Sequence, residues 1–110
     1  MTASTTTLSK KYLEKKGYTV ERVEYWNSFT HHRVDFLGVA DLIALDGTRL
    51  LLVQVTSRNS MSTRRNKSLK SEKLKLWLSA GGEILFHGWD KPAHRYRLKI
   101  TDIYGKEIKS

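Results

Sequence analysis

Residues 41–56 read DLIALDGTRLLLVQVT, and the predicted architecture follows from them. Two runs rich in Leu, Ile and Val flank Asp46-Gly47, a pair typical of a β-hairpin turn because Gly takes positive φ without a steric penalty. Asp41 lies in the first run and Gln54 in the second, although strand interiors disfavour Asp and burial of a lone carboxylate is costly. The stretch therefore predicts a hairpin in a buried sheet that carries polar side chains.

The length of the turn determines which residues face one another across this hairpin. With a two-residue loop, Asp41 faces Leu52, and Gln54 lies diagonal to Asp41 at about 7–8 Å between Cα atoms. A four-residue loop places Asp41 directly opposite Gln54, whereas a three-residue loop separates them because a one-residue slip reverses every side chain. In the first two cases Asp41, Gln54 and Thr56 share one face, so we expect a polar spot there.

Composition limits the class of protein. The 110 residues are enough for one domain, which we expect to span 1–110 with residues 1–4 disordered. The absence of Cys excludes a disulfide scaffold and thiolate zinc sites, and it is consistent with a reducing cytoplasm. No apolar run approaches the ~20 residues of a membrane span, and the polar N-terminus lacks the apolar core of a signal peptide, so we expect no membrane partner.

Positive charge is concentrated in one part of the chain. The formal net charge is +9, and residues 58–75 contain seven basic residues against one acid. Such a cluster favours binding to a polyanion, most often nucleic acid, although a well-solvated loop and helix is the alternative interpretation. The residues that we expect to bind DNA are Arg58, Arg64, Arg65, Lys67, Lys70 and Lys73.

Periodicity and turn signals predict an α/β domain in the order α-β-β-β-α-β-β, with a mixed central sheet flanked by helices. Helices are predicted over 5–16 and 65–80, the second ending at Gly81-Gly82. Strands are predicted over 18–26, on both sides of the Asp46 turn, over 83–87 and over 95–101, whereas 27–34 is predicted to be a loop. On a helical wheel of the second helix, Lys67 and Lys70 lie on or beside the apolar arc. Both lysines are therefore expected to point towards the polar spot, with snorkelling into solvent as the alternative.

These features resemble the PD-(D/E)XK nuclease superfamily, in which a carboxylate in one strand is followed by an acid-x-Lys triplet in the next. The resemblance rests on GVADLIA at 38–44, LVQVT at 52–56 and the element order, and it covers roughly residues 18–103. The chain is also similar to small phage-encoded endonucleases and Holliday-junction-resolvase-like members in RVDFLG at 33–38, QVTS at 54–57 and GGEILFHGW at 81–89. The resemblance implies a restriction-endonuclease-like fold.

The resemblance also implies roles for individual residues. Asp41 would be the metal-binding aspartate, Gln54 takes the place of the usual second acid, and Thr56 stands where the catalytic lysine normally lies. That lysine can relocate to the following helix, which makes Lys67 the first candidate and Lys70 the second. The Gln54 side-chain oxygen and the Val55 carbonyl could complete a Mg²⁺ or Mn²⁺ site, since these ions prefer oxygen ligands.

Two further acids are candidates for the same metal site. Asp35 lies six residues before Asp41, about 20 Å away if the chain is extended, so it can share the site only if the chain bends, for example at Gly38. Glu14 is the one acid in the first predicted helix and is the weaker candidate.

The resulting hypothesis is a Mg²⁺- or Mn²⁺-dependent DNA endonuclease that acts on branched or structured DNA. We expect a homodimer, because symmetric cleavage of two strands needs two sites. We expect it to work in the cytoplasm, which would be the host's if a phage encodes the chain. Because Gln54 and Thr56 depart from the usual acid-x-Lys, a non-catalytic nucleic-acid-binding module on the same fold is the alternative. A small protein-interaction domain with a basic face is a third hypothesis.

Overall fold

A computed structural model describes residues 4–109 and shows an α/β domain built on a mixed sheet. Three helices and seven strands follow the chain in the order α1 (Thr5–Lys15), β1 (Thr19–Arg22), β2 (Tyr25–Asn27), β3 (His32–Val34), β4 (Leu42–Leu45), β5 (Leu50–Ser57), α2 (Met61–Ser68), α3 (Glu72–Ser79), β6 (Glu83–Asp90) and β7 (Arg97–Thr101). Short 3₁₀ turns lie at Arg58–Ser60 and Pro92–His94. The α/β class and the mixed sheet flanked by helices are confirmed.

The main sheet has five strands in the order β1-β4-β5-β6-β7. Strands β5 and β6 are parallel, and α2 and α3 form the crossover between them, whereas the other neighbours are antiparallel. A separate two-stranded sheet, β2-β3, is inserted between β1 and β4. The chain leaves the main sheet after β1, forms this inserted hairpin, and returns to the sheet at β4.

Helices cover both faces of the sheet, which explains the buried apolar run at 51–53, whereas Leu50 at the start of the run is 47% exposed. On one face, Leu13 of α1 packs with Leu42, Leu51 and Val53. On the other face, Met61 of α2 and Leu74 of α3 belong to a cluster that includes Leu52, Ile84 and Phe86. Alternate residues of β5 therefore enter opposite cores, and Gln54 lies on the same face as Leu52.

The β4–β5 hairpin has a four-residue loop, because Leu45 pairs with Leu50 and Ile43 with Leu52. Continuing this register places Asp41 opposite Gln54, which is the second of the two predicted geometries that bring them together. Asp41 lies directly before β4 rather than inside a strand, and its N–H donates to the Val53 carbonyl at 3.0 Å.

Three predicted elements are wrong. The strand over 18–26 is divided into β1 and β2, and the predicted loop over 27–34 contains β3. The helix over 65–80 is two helices, because Ser71 caps α3 by accepting the Leu74 N–H at 3.1 Å. Lys70 consequently lies in the exposed turn between α2 and α3, and one wheel cannot describe both Lys67 and Leu74.

The ends of other elements also differ from prediction. Strand β6 continues through the predicted turn to Asp90, and β7 begins at Arg97. Residues 1–3 of the predicted disordered N-terminus lie outside the described residues, whereas Ser4 caps α1 by accepting the Thr7 N–H at 3.1 Å. None of the helices within residues 4–109 has both the length and the apolar composition that a membrane span requires.

Candidate active site

Three carboxylates meet at the end of the sheet where β4 begins. Oxygen atoms of Glu24, Asp35 and Asp41 lie within 4.8 Å of one another. Glu24 lies between β1 and β2, Asp35 follows β3, and Asp41 precedes β4. The inserted β2–β3 hairpin therefore begins and ends at this acidic cluster.

Backbone pairing and a bend bring the three acids together. The Val23 N–H donates to the Asp41 carbonyl at 3.0 Å, which places Glu24 beside Asp41. The chain then bends after Asp35, since the Gly38 N–H donates to the Asp35 carbonyl at 3.0 Å and Gly38 has a φ of 73°. The bend at Gly38 therefore brings Asp35 close to Asp41, which is the condition for Asp35 to share the site.

Asp41 is a buried acid in unfavourable surroundings. Only 6% of it is exposed, and its Oδ2 accepts the Val55 N–H at 2.7 Å and the Gln54 Nε2–H at 3.3 Å. Burial raises the pKa of Asp41 to about 8 against the opposing hydrogen bond from Val55, and the nearby carboxyls of Glu24 and Asp35 act in the same direction as burial. A cation placed among these oxygens would reverse this preference and favour the charged form.

Glu24 is a functional candidate that sequence reasoning missed. Its Oε2 is buried and has no hydrogen-bond partner among the described residues, and Arg33 Nη1 lies 3.6 Å away at a poorer geometry. The sequence prediction placed Glu24 inside one long strand, where it was one polar residue among several. Its position is the signal that could have identified it. Glu24 comes just after β1, and β1 pairs with β4, the strand that Asp41 precedes.

A cleft of about 330 Å³ contains this end of the sheet. The residues that line it are Thr5, Thr6, Arg33, Asp35, Asp41, Gln54, Val55 and Arg64. Because backbone groups alternate along a strand, the carbonyl of Val55 points to the same side as that of Val53, which pairs with Asp41. The cleft therefore combines acidic oxygens, a backbone carbonyl and two guanidinium groups.

A second groove of about 620 Å³ adjoins the cleft, and Arg33 and Asp35 line both. Lys67 of α2 and Lys73 of α3 line this groove on the helical side. Arg64 and Lys67 are three residues apart on α2, so they lie on neighbouring positions of one helix face. Of the predicted cations, Arg64 is the one in the acidic cleft, and Lys67 lies in the adjoining groove.

Other predicted cations lie elsewhere. Arg58 Nη1 is 3.8 Å from an Asp90 carboxylate oxygen, and Arg65 donates to Thr101 Oγ1 at 3.3 Å. Lys70 is exposed in the turn before α3 and is not among the residues that line the cleft or the groove.

Two further predicted site residues are also outside the acidic cluster. Glu14 forms an exposed ion pair with Lys10 at 3.0 Å, one turn away along α1. Thr56 is partly buried and pairs in register with Gly88, and it does not line the cleft or the adjoining groove.

The cluster fits a divalent cation. Carboxylate and carbonyl oxygens are the ligands that Mg²⁺ and Mn²⁺ prefer. Glu24 Oε2 is buried without a hydrogen-bond partner within residues 4–109, and Asp41 lies between like charges, so both oxygens would be stabilised by a cation. The two acids beside Asp41 are Glu24 and Asp35, which flank the β2–β3 hairpin. Position 54, where the family usually has an acid, is Gln.

Comparison with known proteins identifies the fold. No protein-family model matches the sequence, and no curated protein matches it. Among solved structures, the chain is similar to Hjc, a Holliday junction resolvase from Archaeoglobus fulgidus, with a TM-score of 0.56 at 13% sequence identity. The match covers 91% of this chain and 70% of that chain. This 110-residue chain therefore shares the α/β fold of an archaeal Holliday junction resolvase.

Proposed function

We propose that this chain is a metal-dependent endonuclease of the PD-(D/E)XK superfamily that hydrolyses phosphodiester bonds in branched DNA. The observation that carries the proposal is the convergence of Glu24, Asp35 and Asp41 beside a cleft that is lined by Asp35, Asp41 and two arginines, on a fold shared with a junction resolvase. Acids alone would attract any cation, whereas acids beside guanidinium groups suit a metal ion together with a phosphate.

Glu24, Asp35, Asp41 and the Val55 carbonyl are the groups that would hold Mg²⁺ or Mn²⁺. When bound, such an ion activates water and neutralises charge that develops on the phosphate. Gln54 lacks the charge of the usual second acid, and it donates to Asp41 instead and so fixes that carboxylate. We assign the role of the missing carboxylate to Glu24, which lies between β1 and β2, so the site would not need an acid at position 54.

Arg64 and Lys67 are the cations that we assign to the substrate phosphates. Arg64 lines the acidic cleft and can contact the scissile phosphate, whereas Lys67 lines the adjoining groove, where the next phosphates would lie. Thr56 and Lys70 lie outside both spaces, so this proposal gives neither of them a chemical step.

We further propose that two copies act together, because cutting both strands at a branch point needs two active sites. The excess of positive charge would hold the DNA backbone irrespective of sequence, so DNA shape would select the substrate. We place this activity in the cytoplasm, or in the host cytoplasm if a phage encodes the chain.

Cleavage assays test this proposal. The purified protein is incubated with supercoiled plasmid, linear duplex, single strands and a four-way junction, each with Mg²⁺, Mn²⁺ or EDTA. We expect metal-dependent cleavage that Asp41→Ala abolishes, whereas Asp46→Ala, which removes an acid at the far end of β4, retains it. We expect the four-way junction to be the preferred substrate.

Other outcomes would replace the proposal. Salt-sensitive DNA binding without cleavage under any metal would indicate a non-catalytic nucleic-acid-binding module, as the departures at Gln54 and Thr56 allow. Little salt-sensitive affinity for any DNA would favour the protein-interaction domain.

A further inference from the structure

The β2–β3 hairpin exposes three aromatic side chains within five residues. Tyr25 is 59% exposed, Trp26 is 60% exposed, and Phe29 at the tip is 94% exposed. None of the three belongs to either hydrophobic core cluster of the described residues. Because large apolar rings are costly to leave in water, a group of them at one exposed tip indicates a binding surface.

Two hydrogen bonds brace the tip of this hairpin. The Asn27 side-chain oxygen accepts the Phe29 N–H at 3.0 Å and the Thr30 N–H at 3.2 Å. The rings of Trp26 and His31 lie 6.4 Å apart between centroids. The aromatic side chains are therefore presented on an ordered turn, which reduces the entropy lost when they bind.

The charge of the hairpin favours a polyanion. Residues 25–34 contain one Arg and two His and no acid. Tyr25 pairs in register with Val34, and both line the groove that contains Lys67 and Lys73. Of the three exposed rings, Tyr25 thus lies in the groove with Lys67 and Lys73, whereas Trp26 and Phe29 lie beyond the residues that line it.

The groove is also continuous with the acidic cleft, since Arg33 and Asp35 line both. The cluster acids Glu24 and Asp35 directly flank the hairpin in the chain. A strand that enters the cleft at Asp41 can leave along this groove, with phosphates towards Lys67 and Lys73 and bases towards the hairpin. Paired bases are stacked inside a duplex, so aromatic rings can reach base faces only where pairing ends.

We propose that the β2–β3 hairpin is a base-stacking element that holds an unpaired DNA strand beside the acidic cleft. Tyr25 stacks on a base inside the groove, Trp26 and Phe29 stack on bases beyond its rim, and Lys67 and Lys73 contact the phosphates of the same strand. This inference rests on the proposed nuclease function and makes it more specific, because it names DNA with unpaired nucleotides next to a branch as the substrate class.

Binding in EDTA tests the inference without any need for cleavage. The probes are a labelled 20-nucleotide single strand, a forked duplex with unpaired arms and a fully paired duplex, measured by fluorescence anisotropy at fixed salt. Loss of one base–aromatic stacking contact corresponds to about a 5- to 100-fold weaker Kd. We therefore expect Trp26→Ala and Phe29→Ala each to weaken binding of the single strand and the fork about tenfold, with the paired duplex unchanged.

Tyr104→Ala is the matched control, because Tyr104 is 84% exposed but lines neither the cleft nor the groove. It should leave all three affinities unchanged. Lys73→Ala should weaken all three probes and reduce their salt dependence, as expected for a phosphate contact. A 2-aminopurine in the unpaired arm should be quenched by the protein and less quenched by Trp26→Ala, because quenching reports stacking.

Several results would overturn the inference. They are equal losses on paired and unpaired probes in the hairpin variants, losses in Tyr104→Ala as large as those in Trp26→Ala, and unchanged binding in the hairpin variants. A change from dimer to monomer in Trp26→Ala, measured by sedimentation without DNA, would show that the rings cover a second copy instead.

The two proposals fail in distinguishable ways. If the protein cleaves DNA but the hairpin variants keep their affinity for unpaired strands, the nuclease stands and the inference fails. If the hairpin variants lose that affinity but no metal supports cleavage, the inference stands and the nuclease fails.

Discussion

Asp41 and Asp46 lie at opposite ends of strand β4 and have opposite electrostatic surroundings. Asp46 is exposed in the hairpin turn, where its Oδ1 accepts the Thr48 N–H at 2.9 Å and the Arg49 N–H at 2.7 Å. These donors lower the pKa of Asp46 below its usual value, the Thr48 N–H most of all. Asp41 is buried beside two other acids, and its pKa is raised to about 8.

The charged form of Asp46 stabilises the folded protein, whereas the charged form of Asp41 destabilises it. In the turn, the backbone presents N–H groups to one carboxylate, so the negative charge is stabilised locally. At the other end of β4, Asp41 accepts two hydrogen bonds, and Arg33 Nη1 lies 3.6 Å from Glu24 Oε2. These are few compensating contacts for three carboxylates that lie so close together. Such a cluster is completed only by a cation, which supports a metal site at Asp41 and none at Asp46.

The largest effect should come from the acids that converge on Asp41. We expect Glu24→Gln and Asp35→Asn each to reduce the rate of metal-dependent cleavage by about 100-fold or more, because a metal ion contributes several kcal/mol of transition-state stabilisation. Asp46→Asn should cleave at the wild-type rate in the same assay. A fully active Glu24→Gln would show that the cluster does not hold the metal ion.

The second effect is on stability in EDTA, where the carboxylates have no metal ion to compensate them. A raised pKa means that the folded protein holds a proton that the unfolded chain releases between about pH 4 and about pH 8, so stability falls as pH rises through this range. From pH 6.5 to 8 the loss should be about 2 kcal/mol, measured by urea unfolding, at about 1.4 kcal/mol per pH unit.

Titration of His87 confines the visible loss of stability to pH values above about 6.5. It is fully buried, and burial lowers its pKa from 6.5 to about 4, so stability falls as pH drops through that interval. Between pH 6.5 and 4 the contributions of Asp41 and His87 cancel, and the wild type should be nearly constant. Asp41→Asn should be constant from pH 8 to 6.5 and lose stability below it. If the stability of Asp41→Asn falls between pH 6.5 and 8 as steeply as that of the wild type, Asp41 is not the group that titrates in this range.

The sequence was sufficient for the β4–β5 hairpin, the order of the five main-sheet strands along the chain and the shared face of Asp41 and Gln54, because turn chemistry and side-chain alternation act over a few residues. It was insufficient for Glu24 and for the β2–β3 hairpin. Their positions depend on the Val23–Asp41 backbone pair and on the bend at Gly38, and neither leaves a periodic pattern.

The break between α2 and α3 was predictable in principle. Ser71 precedes Glu72, and a serine followed by an acid in the first turn is a helix start signal. The apolar residues of 65–80 hid this signal, since they can be fitted to one helical stripe. The placement of Lys70 in the turn, and of Arg64 rather than Lys70 in the cleft, follows from that break.

A smaller effect should distinguish Arg64 of α2, in the cleft at the start of β4, from Arg49 at the other end of that strand. Arg64 lines the cleft of Asp41, whereas Arg49 follows the Asp46 turn and binds Glu83 through two nitrogens at 2.9 and 3.0 Å. We expect Arg64→Ala to lower cleavage about tenfold, the value of one charge-assisted hydrogen bond to phosphate. Arg49→Ala should cleave normally and have a lower Tm. Equal cleavage by the two variants would remove Arg64 from the site.

The smallest effect should come from Asp46, and two substitutions separate its charge from its hydrogen bonds. Asp46→Ala removes the acceptor for the Thr48 and Arg49 N–H groups, so we expect a slightly lower Tm at pH 7. Because the pKa of Asp46 is lowered in the folded protein, this difference from wild type should be present above pH 3.8 and disappear as pH falls further. Asp46→Asn keeps an acceptor oxygen in place and should retain most of the wild-type Tm. If Asp46→Asn has as low a Tm as Asp46→Ala, the negative charge rather than the hydrogen bonds stabilises this turn. Asp46 and Asp41 would then differ only in whether the folded protein favours the charged or the neutral carboxyl.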